Sequence, residues 1–440
     1  MSNLGTESVL PVVVIGAGPV GLAAAARLVE RGLPFLVLEA GPAVGDSVRR
    51  WRHVRMFSPW RFNIDRAARA LLQESGWTPP PQDDLPTGGD LVTQYLEPLS
   101  ALPRIAPFLR FGARVVSVGR EALDKAVTAG RDETPFAVEV ALADGRRETL
   151  RARAVIDASG TWTAPNPMGA GGYPAAGEEH FAERIAYGIP DVKGRDRARY
   201  AGRRVLVVGG GHSAINVLLD LLTLKEAAPE TAIFWAVRRT DPQRLFGGGA
   251  ADALPARGEL GTKARQAIEA GTVTLLAPFR ATGIAAAPQG RLLVSGSGQE
   301  VAVDEIVVAA GFRPDLSFLR EVRLGIDPAL ECATALAPLI DPNIHSCGTV
   351  RPHGAAELAH PEPGFYIAGM KSYGRAPTFL LATGHEQVRS IVAALAGDRE
   401  AAAKVELELP ETGVCSAQPT NRADIRVADT AVKCCAPAKV

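Results

Sequence analysis

The chain is poor in cysteine, poor in aromatic residues and without net charge, and each shortage closes off a class of protein. Five cysteines in 440 residues (Cys332, Cys347, Cys415, Cys434 and Cys435) are too few, and odd in number, for a disulfide framework. Lys plus Arg and Asp plus Glu number 48 each, so no basic field is present to hold a phosphate backbone, and nucleic acid is excluded as a partner. Apolar runs such as "VLVVGGG" and "EIVVAAG" stop at glycines, well short of the roughly 20 residues that a membrane span requires. The start, "MSNLGTESVLPVVVIGAG", has neither the basic opening nor the cleavage site of a signal peptide. A soluble cytoplasmic protein with no membrane partner is expected. At 47% hydrophobic and 22% charged the composition is globular, and the length exceeds what one core accommodates, so two domains are expected.

What is present is a strand–glycine–helix pattern that occurs twice. Residues 11–40 read "PVVVIGAGPVGLAAAARLVERGLPFLVLEA". A β-branched run enters Gly16, Gly18 and Gly21, an Ala- and Leu-rich helical stretch follows, and "FLVLEA" reads as a second buried parallel strand. Such glycines allow a tight turn, close approach of backbone to a pyrophosphate, and close helix–strand packing, with the diphosphate on free helix N–H groups. Glu39 ends the second strand about 20 residues past the turn, where a carboxylate can accept hydrogen bonds from a ribose diol. The pattern returns in "RRVLVVGGGHSAINVLLDLLTLKEAAPETAIFWAVRR" (203–239), with Gly209, Gly211 and Ala214 at the small-residue positions. Its second strand ends in Arg238 and Arg239 rather than an acid. Guanidinium groups can hold a 2′-phosphate by paired hydrogen bonds, so the second site favours NADPH over NADH. Two surface arginines solvating a strand end are the plainer alternative.

Two such folds with different strand-end chemistry resemble a flavoprotein with two dinucleotide-binding domains, FAD in the first and NADPH in the second. "RARAVIDASGTWTAPNP" (151–167), "VDEIVVAAGFRPDLSFL" (303–319) and "GFYIAGMKSYGRAPTFLLATGHEQV" (364–388) resemble the exit from, return to and final segment of the FAD domain. The implied fold class is α/β, with two Rossmann-like domains. Residues 1–165 and 305–405 would form the FAD domain and 166–304 the NADPH domain, leaving 406–440 as a tail. "RFGARVVSVGR", "PFAVEVALADG" and "ETLRARAVID" predict a small β-meander inside the FAD domain. The resemblance makes Gly16, Gly18, Pro19, Gly21, Glu39, Trp51, Gly160, Gly369 and Met370 candidates for FAD binding. Gly209, Gly211, Ser213, Arg238 and Arg239 are the candidates for NADPH.

Two families share this architecture. Flavin disulfide reductases carry a closely spaced cysteine pair at the flavin, and no such spacing occurs in the body of this chain. Flavin-containing and Baeyer–Villiger monooxygenases are the better resemblance: "GDSVRRWRHVRMFSPWRFNID" (45–65) is similar to their segment after the second strand. It offers Trp51 as an aromatic near the flavin, or as a core tryptophan, and Asn63 as an amide for oxygen chemistry. Their boundary fingerprint has no clean match in "EEHFAERIAYGIPDVKG" (178–194), and Gly369-Met370 stands where many relatives have Gly-Asp. "HSCGTVRPHGAAELAH" (345–360) has poor zinc spacing, so no metal site is expected there, only a loop near the site or a structural turn. "RRTDPQRLFGGGAADALPARGELG" (238–261) is Gly-rich, as a lid or a surface loop would be.

The tail holds three of the five cysteines, with Cys434 and Cys435 adjacent. A vicinal pair serves better as two soft thiolates than as a bridge, and soft thiolates select soft acceptors. This ending resembles the tail of mercuric reductase and of flavoprotein monooxygenases associated with arsenic resistance. It makes Cys415, Cys434 and Cys435 candidates for capturing a thiophilic metal or metalloid substrate. The expectation is an FAD- and NADPH-dependent oxidoreductase of monooxygenase type acting on a small molecule. The alternatives are an NADPH-driven reductase of a metal, metalloid or disulfide, and a flavin-containing sensor of soft ions. The oligomeric state stays open; the resemblance is compatible with a homodimer.

Overall fold

A computed structural model describes residues 9–240, 245–246, 255–345, 352–376 and 379–407. Strand β1 (Val12–Ile15) is four apolar residues, all buried, and leads directly into helix α1 (Pro19–Glu30). After β2 (Phe35–Leu38) and the short β3 (Leu109–Arg110), the chain builds an antiparallel meander of β4 (Ala113–Arg120), β5 (Phe136–Leu142) and β6 (Arg147–Ala152). The expected meander is therefore present, with the Asp144-Gly145 turn between its last two strands. Strand β7 (Ala154–Asp157) returns to the first sheet.

The second unit contains β8 (Ile185–Tyr187), β9 (Arg204–Val208), helix α2 (His212–Ala227), β10 (Ala232–Ala236) and β11 (Val273–Leu276). An antiparallel ribbon of β12 (Ala281–Ala287), β13 (Arg291–Gly296) and β14 (Gln299–Val303) follows, and then β15 (Glu305–Val308). The chain re-enters the first unit for β16 (Phe365–Ile367) and helix α3 (Leu381–Leu395). The first sheet has the order β16-β7-β1-β2-β3 and the second β11-β10-β9-β15-β8, parallel throughout.

Each parallel sheet is buried on both faces because its strands alternate between two cores. Val12 and Val14 pack with α1 and α3, while Val13 and Ile15 pack with Val118, Phe136 and Val138 of the meander. Val205 and Val207 pack with α2, and Leu206 and Val208 with Ile284, Val294 and Val303 of the ribbon. The period-two alternation of side chains produces this split, and each fully buried valine stabilises by about 1.5–3 kcal/mol. Both units are thus helix, parallel sheet, antiparallel sheet. The boundary expected after residue 304 moves: β15 pairs with β9 and β8, so the second unit runs through Val308. "EIVV" is as apolar as a first-domain strand, and only its pairing partners decide which sheet takes it.

The two crossovers between the units are bonded to each other. Asn166 N–H donates to the Gly311 carbonyl at 2.9 Å, and Arg313 N–H to the Ala164 carbonyl at 2.9 Å. Trp162 stacks on Phe312 at 4.9 Å between ring centroids. No helix among the described residues is long and apolar enough to cross a membrane.

Candidate dinucleotide sites

A cavity of about 520 Å³ opens where the C-terminal ends of β1, β2 and β7 meet the starts of α1 and α3. Ligands of open α/β sheets bind at such strand ends. Gly16, Gly18, Pro19, Glu39, Gly160, Gly369 and Met370, all expected from the sequence, contribute to its wall. Gly21 lies beneath it: a Cβ there would sit 1.9 Å from the Gly16 carbonyl oxygen, so only glycine lets α1 approach β1 this closely. At Gly18 a Cβ would meet no atom within 4 Å, leaving open space for a ligand against the backbone.

The cavity fits a dinucleotide. Gly18 and Leu380 are the N-caps of α1 and α3, and neither helix has a side-chain cap or an acid in its first turn. Their unpaired N–H groups give both ends partial positive charge toward the cavity, suited to a diphosphate and an electron-rich ring edge. Glu39 accepts from the N–H groups of Ala17 and Gly41, each at 2.8 Å, which fixes the carboxylate at the adenosine end. Each oxygen keeps a second lone pair for a ribose hydroxyl.

The far end holds a group that the sequence reading missed. Asp157, the last residue of β7, forms an ion pair with Lys371 at 2.7 Å, with side chains 0% and 1% exposed. Ser159 Oγ donates to Asp157 Oδ1 at 2.6 Å and accepts from Lys371 Nζ at 3.1 Å. Asp157 Oδ2 has the ammonium as its ionic partner and no aligned hydrogen-bond donor besides. Lys371 also lies 4.5 Å from the centroid of Phe318. A run of "GMKSYG" after a strand gave the only hint, a lysine one residue past the final-segment motif.

Two expected residues stand elsewhere. Trp51 is packed against the first core and against Gly88, outside the cavity wall, and Trp162 is the tryptophan that lines it. Asn63 is completely buried in its own turn. Its Oδ1 accepts from Ser58 Oγ at 2.9 Å, and its Nδ2 donates to the carbonyls of Ser58 and Pro59 at 2.7 and 3.1 Å. The amide assigned to oxygen chemistry is thus committed to holding the 58–63 turn and does not reach the cavity.

The second turn repeats the first. Gly209 has φ of +140°, and a Cβ there would lie 2.3 Å from the Ala309 carbonyl oxygen. Gly211 caps α2 with backbone alone, Ser213 is in the first turn, and Ala214 is fully buried against the sheet. Arg238 and Arg239 follow β10 and are exposed, with Arg238 Nη1 donating to the Ala170 carbonyl at 3.3 Å. His212 faces Phe57 of the first unit at 5.6 Å between ring centroids, which brings the start of α2 against the FAD-type domain. Residues 241–244 and 247–254 of the Gly-rich stretch lie outside the described residues, as do Cys347, Cys415, Cys434 and Cys435. Cys332 is buried in the first core, away from the cavity, and burial together with the Asp327 charge pushes its thiol up to about 12.

Comparison with known proteins agrees with this architecture. Residues 13–78 match the family described as pyridine nucleotide-disulphide oxidoreductase, and residues 94–245 the family L-lysine 6-monooxygenase/L-ornithine 5-monooxygenase. An indole-3-pyruvate monooxygenase of Oryza sativa subsp. japonica is 34% identical over 239 residues, 53% of this chain and 50% of that protein. The chain therefore spans about half the length of the curated relatives of that kind. A ferredoxin–NADP reductase of Thermus thermophilus is 27% identical over 348 residues, 77% of this chain and 84% of that protein. The solved structure of a bacillithiol disulfide reductase from Bacillus cereus shares the fold, with a TM-score of 0.65 at 19% identity over 89% of this chain and 99% of that one. The chain thus has an α/β fold with two Rossmann-like dinucleotide sites, one for FAD and one for NADPH.

Proposed function

We propose that the chain is an NADPH- and FAD-dependent monooxygenase acting on a small molecule. One observation carries the choice: the flavin end of the cavity is walled by Trp162, Phe318, Met370 and Phe379 and, among the described residues, by no cysteine. These aromatic and thioether side chains suit chemistry that must exclude water. Bound flavin supplies hydride acceptance and oxygen activation. The protein's residues do the rest. The uncapped starts of α1 and α3 hold the cofactor's negative groups, and Glu39 fixes the adenosine end. Arg238 and Arg239 select the phosphorylated nicotinamide cofactor. Matches to monooxygenase families and relatives support the reading.

A second reading has its own observation. The ferredoxin–NADP reductase match extends over more of the chain than the monooxygenase one, which favours electron transfer to a one-electron acceptor. The purified flavoprotein mixed with NADPH under isotopically labelled oxygen separates the two. Indole-3-pyruvate, L-ornithine and arsenite serve as trial substrates. Label in a product supports oxygen insertion. Rapid oxygen-independent reduction of ferredoxin or cytochrome c, with no label in any product, overturns it in favour of the reductase.

The finer reading of the substrate rests on the tail. Cys415, Cys434 and Cys435 supply soft thiolates that deliver a thiophilic metalloid species to the flavin.

A further inference from the structure

The buried Asp157–Lys371 pair has an orientation, and the orientation has an electrostatic consequence. A dinucleotide whose diphosphate lies at Gly18 and whose adenosine lies at Glu39 sends its other half toward Ser159, Trp162 and Met370. Lys371 is part of the cavity wall at that end and Asp157 is not, and the ammonium donates to Ser159 of the wall, so the positive end of the pair lies nearer the cavity, just beneath its surface, and the negative end behind it. Phe318 and the pair's own burial exclude water, so the field is not screened as a surface charge would be. Asp315, which feels the charge of Lys371, is an opposing charge on the same wall, as are Asp46 and Glu39. Burial works against ionisation of Asp315, but hydrogen bonds from Ser317 and the charge of Lys371 hold its carboxyl below the usual range. Asp315 is exposed, however, and water screens it.

We infer that Lys371, held in place by Asp157 and Ser159, is a positioning residue that raises the reduction potential of the bound flavin. Hydride transfer from NADPH moves two electrons and one proton, so the ring gains one negative charge while the nicotinamide leaves as the oxidised cofactor. An ammonium fixed at the cavity wall stabilises that added charge. Gly369-Met370 carries no carboxylate at the adjacent position, so nothing there opposes it. The inference rests on the FAD reading above.

The test uses the full-length flavoprotein, with flavin content read first and the midpoint potential then measured against a redox dye. Lys371→Met leaves a buried, unpaired carboxylate; the double variant Lys371→Met/Asp157→Asn leaves no charge and keeps the fold testable if the single variant is unstable. At fixed dye poise the reduced-to-oxidised ratio should fall at least tenfold in Lys371→Met, which is about 30 mV for a two-electron couple. The double variant should fall between Lys371→Met and wild type. A purely structural role predicts no such charge-dependent order. Wild-type potential in either variant, or a double variant at or below the single one, overturns the inference. Wild-type protein that binds no FAD overturns both this and the reading on which it rests.

Discussion

A side chain at position 21 has nowhere to go, because its Cβ would meet the Gly16 carbonyl oxygen at 1.9 Å. Gly21→Val should therefore push α1 away from β1, cost about 1–3 kcal/mol by overpacking, and empty the first site. The ratio of flavin to protein absorbance, with a thermal melt beside it, measures both effects. The role proposed for Arg238 and Arg239 is one of charge instead of shape. Replacing both with Ala should raise the KM for NADPH more than about tenfold, since each charge-assisted contact is worth about 1.5–3 kcal/mol. The KM for NADH should hardly change, because only NADPH carries the 2′-phosphate; equal effects on both cofactors would count against the assignment. The glycine turns and the place of Glu39 at the cavity were legible in the sequence because they are local, set by spacing within one strand–turn–helix. Lys371 was not. Ser159, its hydrogen-bond partner, is 212 residues away, and only the parallel pairing of β16 with β7 brings them together. Trp51, which took its core alternative, and Asn63, which did not reach the cavity, differ for the opposite reason. Their neighbourhood resembled a family segment, but the local turn and the first core claimed both side chains.

At the scale of elements, a buried charge cluster ties the meander to the segment before β16. Glu362 Oε1 accepts from Arg120 Nε at 2.7 Å, its Oε2 accepts from Arg131 Nη2 at 2.7 Å, and the Arg323 N–H donates to it at 3.1 Å. Glu362 and Arg131 are each 1% exposed. Burial opposes ionisation of Glu362, but the hydrogen bonds from Arg131, Arg120 and Arg323 win and hold its carboxyl below the usual range. A lowered folded-state value means that the cluster's contribution is complete above the unfolded carboxylate pKa of about 4.3. It is lost as pH falls through the lower folded value. Urea midpoints from pH 6 down to pH 3 should show this loss. Glu362→Gln should destabilise by roughly 3–5 kcal/mol at neutral pH, because two guanidinium groups stay buried without a carboxylate. It should also flatten the acid limb of the curve; an unchanged limb would assign the loss to other carboxylates. Most elements around the site were readable from apolar runs and turn residues, the meander included. The β12–β14 ribbon was missed although "RLLVSGSGQEVAVDE" alternates on both sides of a Gly-Ser-Gly turn. Its signal resembles any exposed hairpin, and its role as the second cover of a parallel sheet appears only in the packing of Ile284, Val294 and Val303.

For the whole molecule, the two units share one layering, and the described residues of the cavity wall run from Ile15 to Leu381. The cysteines of the tail lie outside that span and outside the described residues, so their role has to be read from the intact protein. If Cys415, Cys434 and Cys435 capture a soft ion, replacing them with Ser should abolish binding of arsenite or mercuric ion and leave FAD content unchanged. Chelation weakens steeply when one thiolate of a clip is lost, so single replacements at Cys434 or Cys435 should come close to the double. NADPH oxidation stimulated by the ion should fall with binding, while the slow background reaction with oxygen persists. Isothermal titration with the two ions, beside an NADPH-consumption assay, reads both. A chain truncated after residue 407 that still binds the ion and still responds to it would show that the tail thiols are incidental and that the soft-ion reading of the substrate is mistaken.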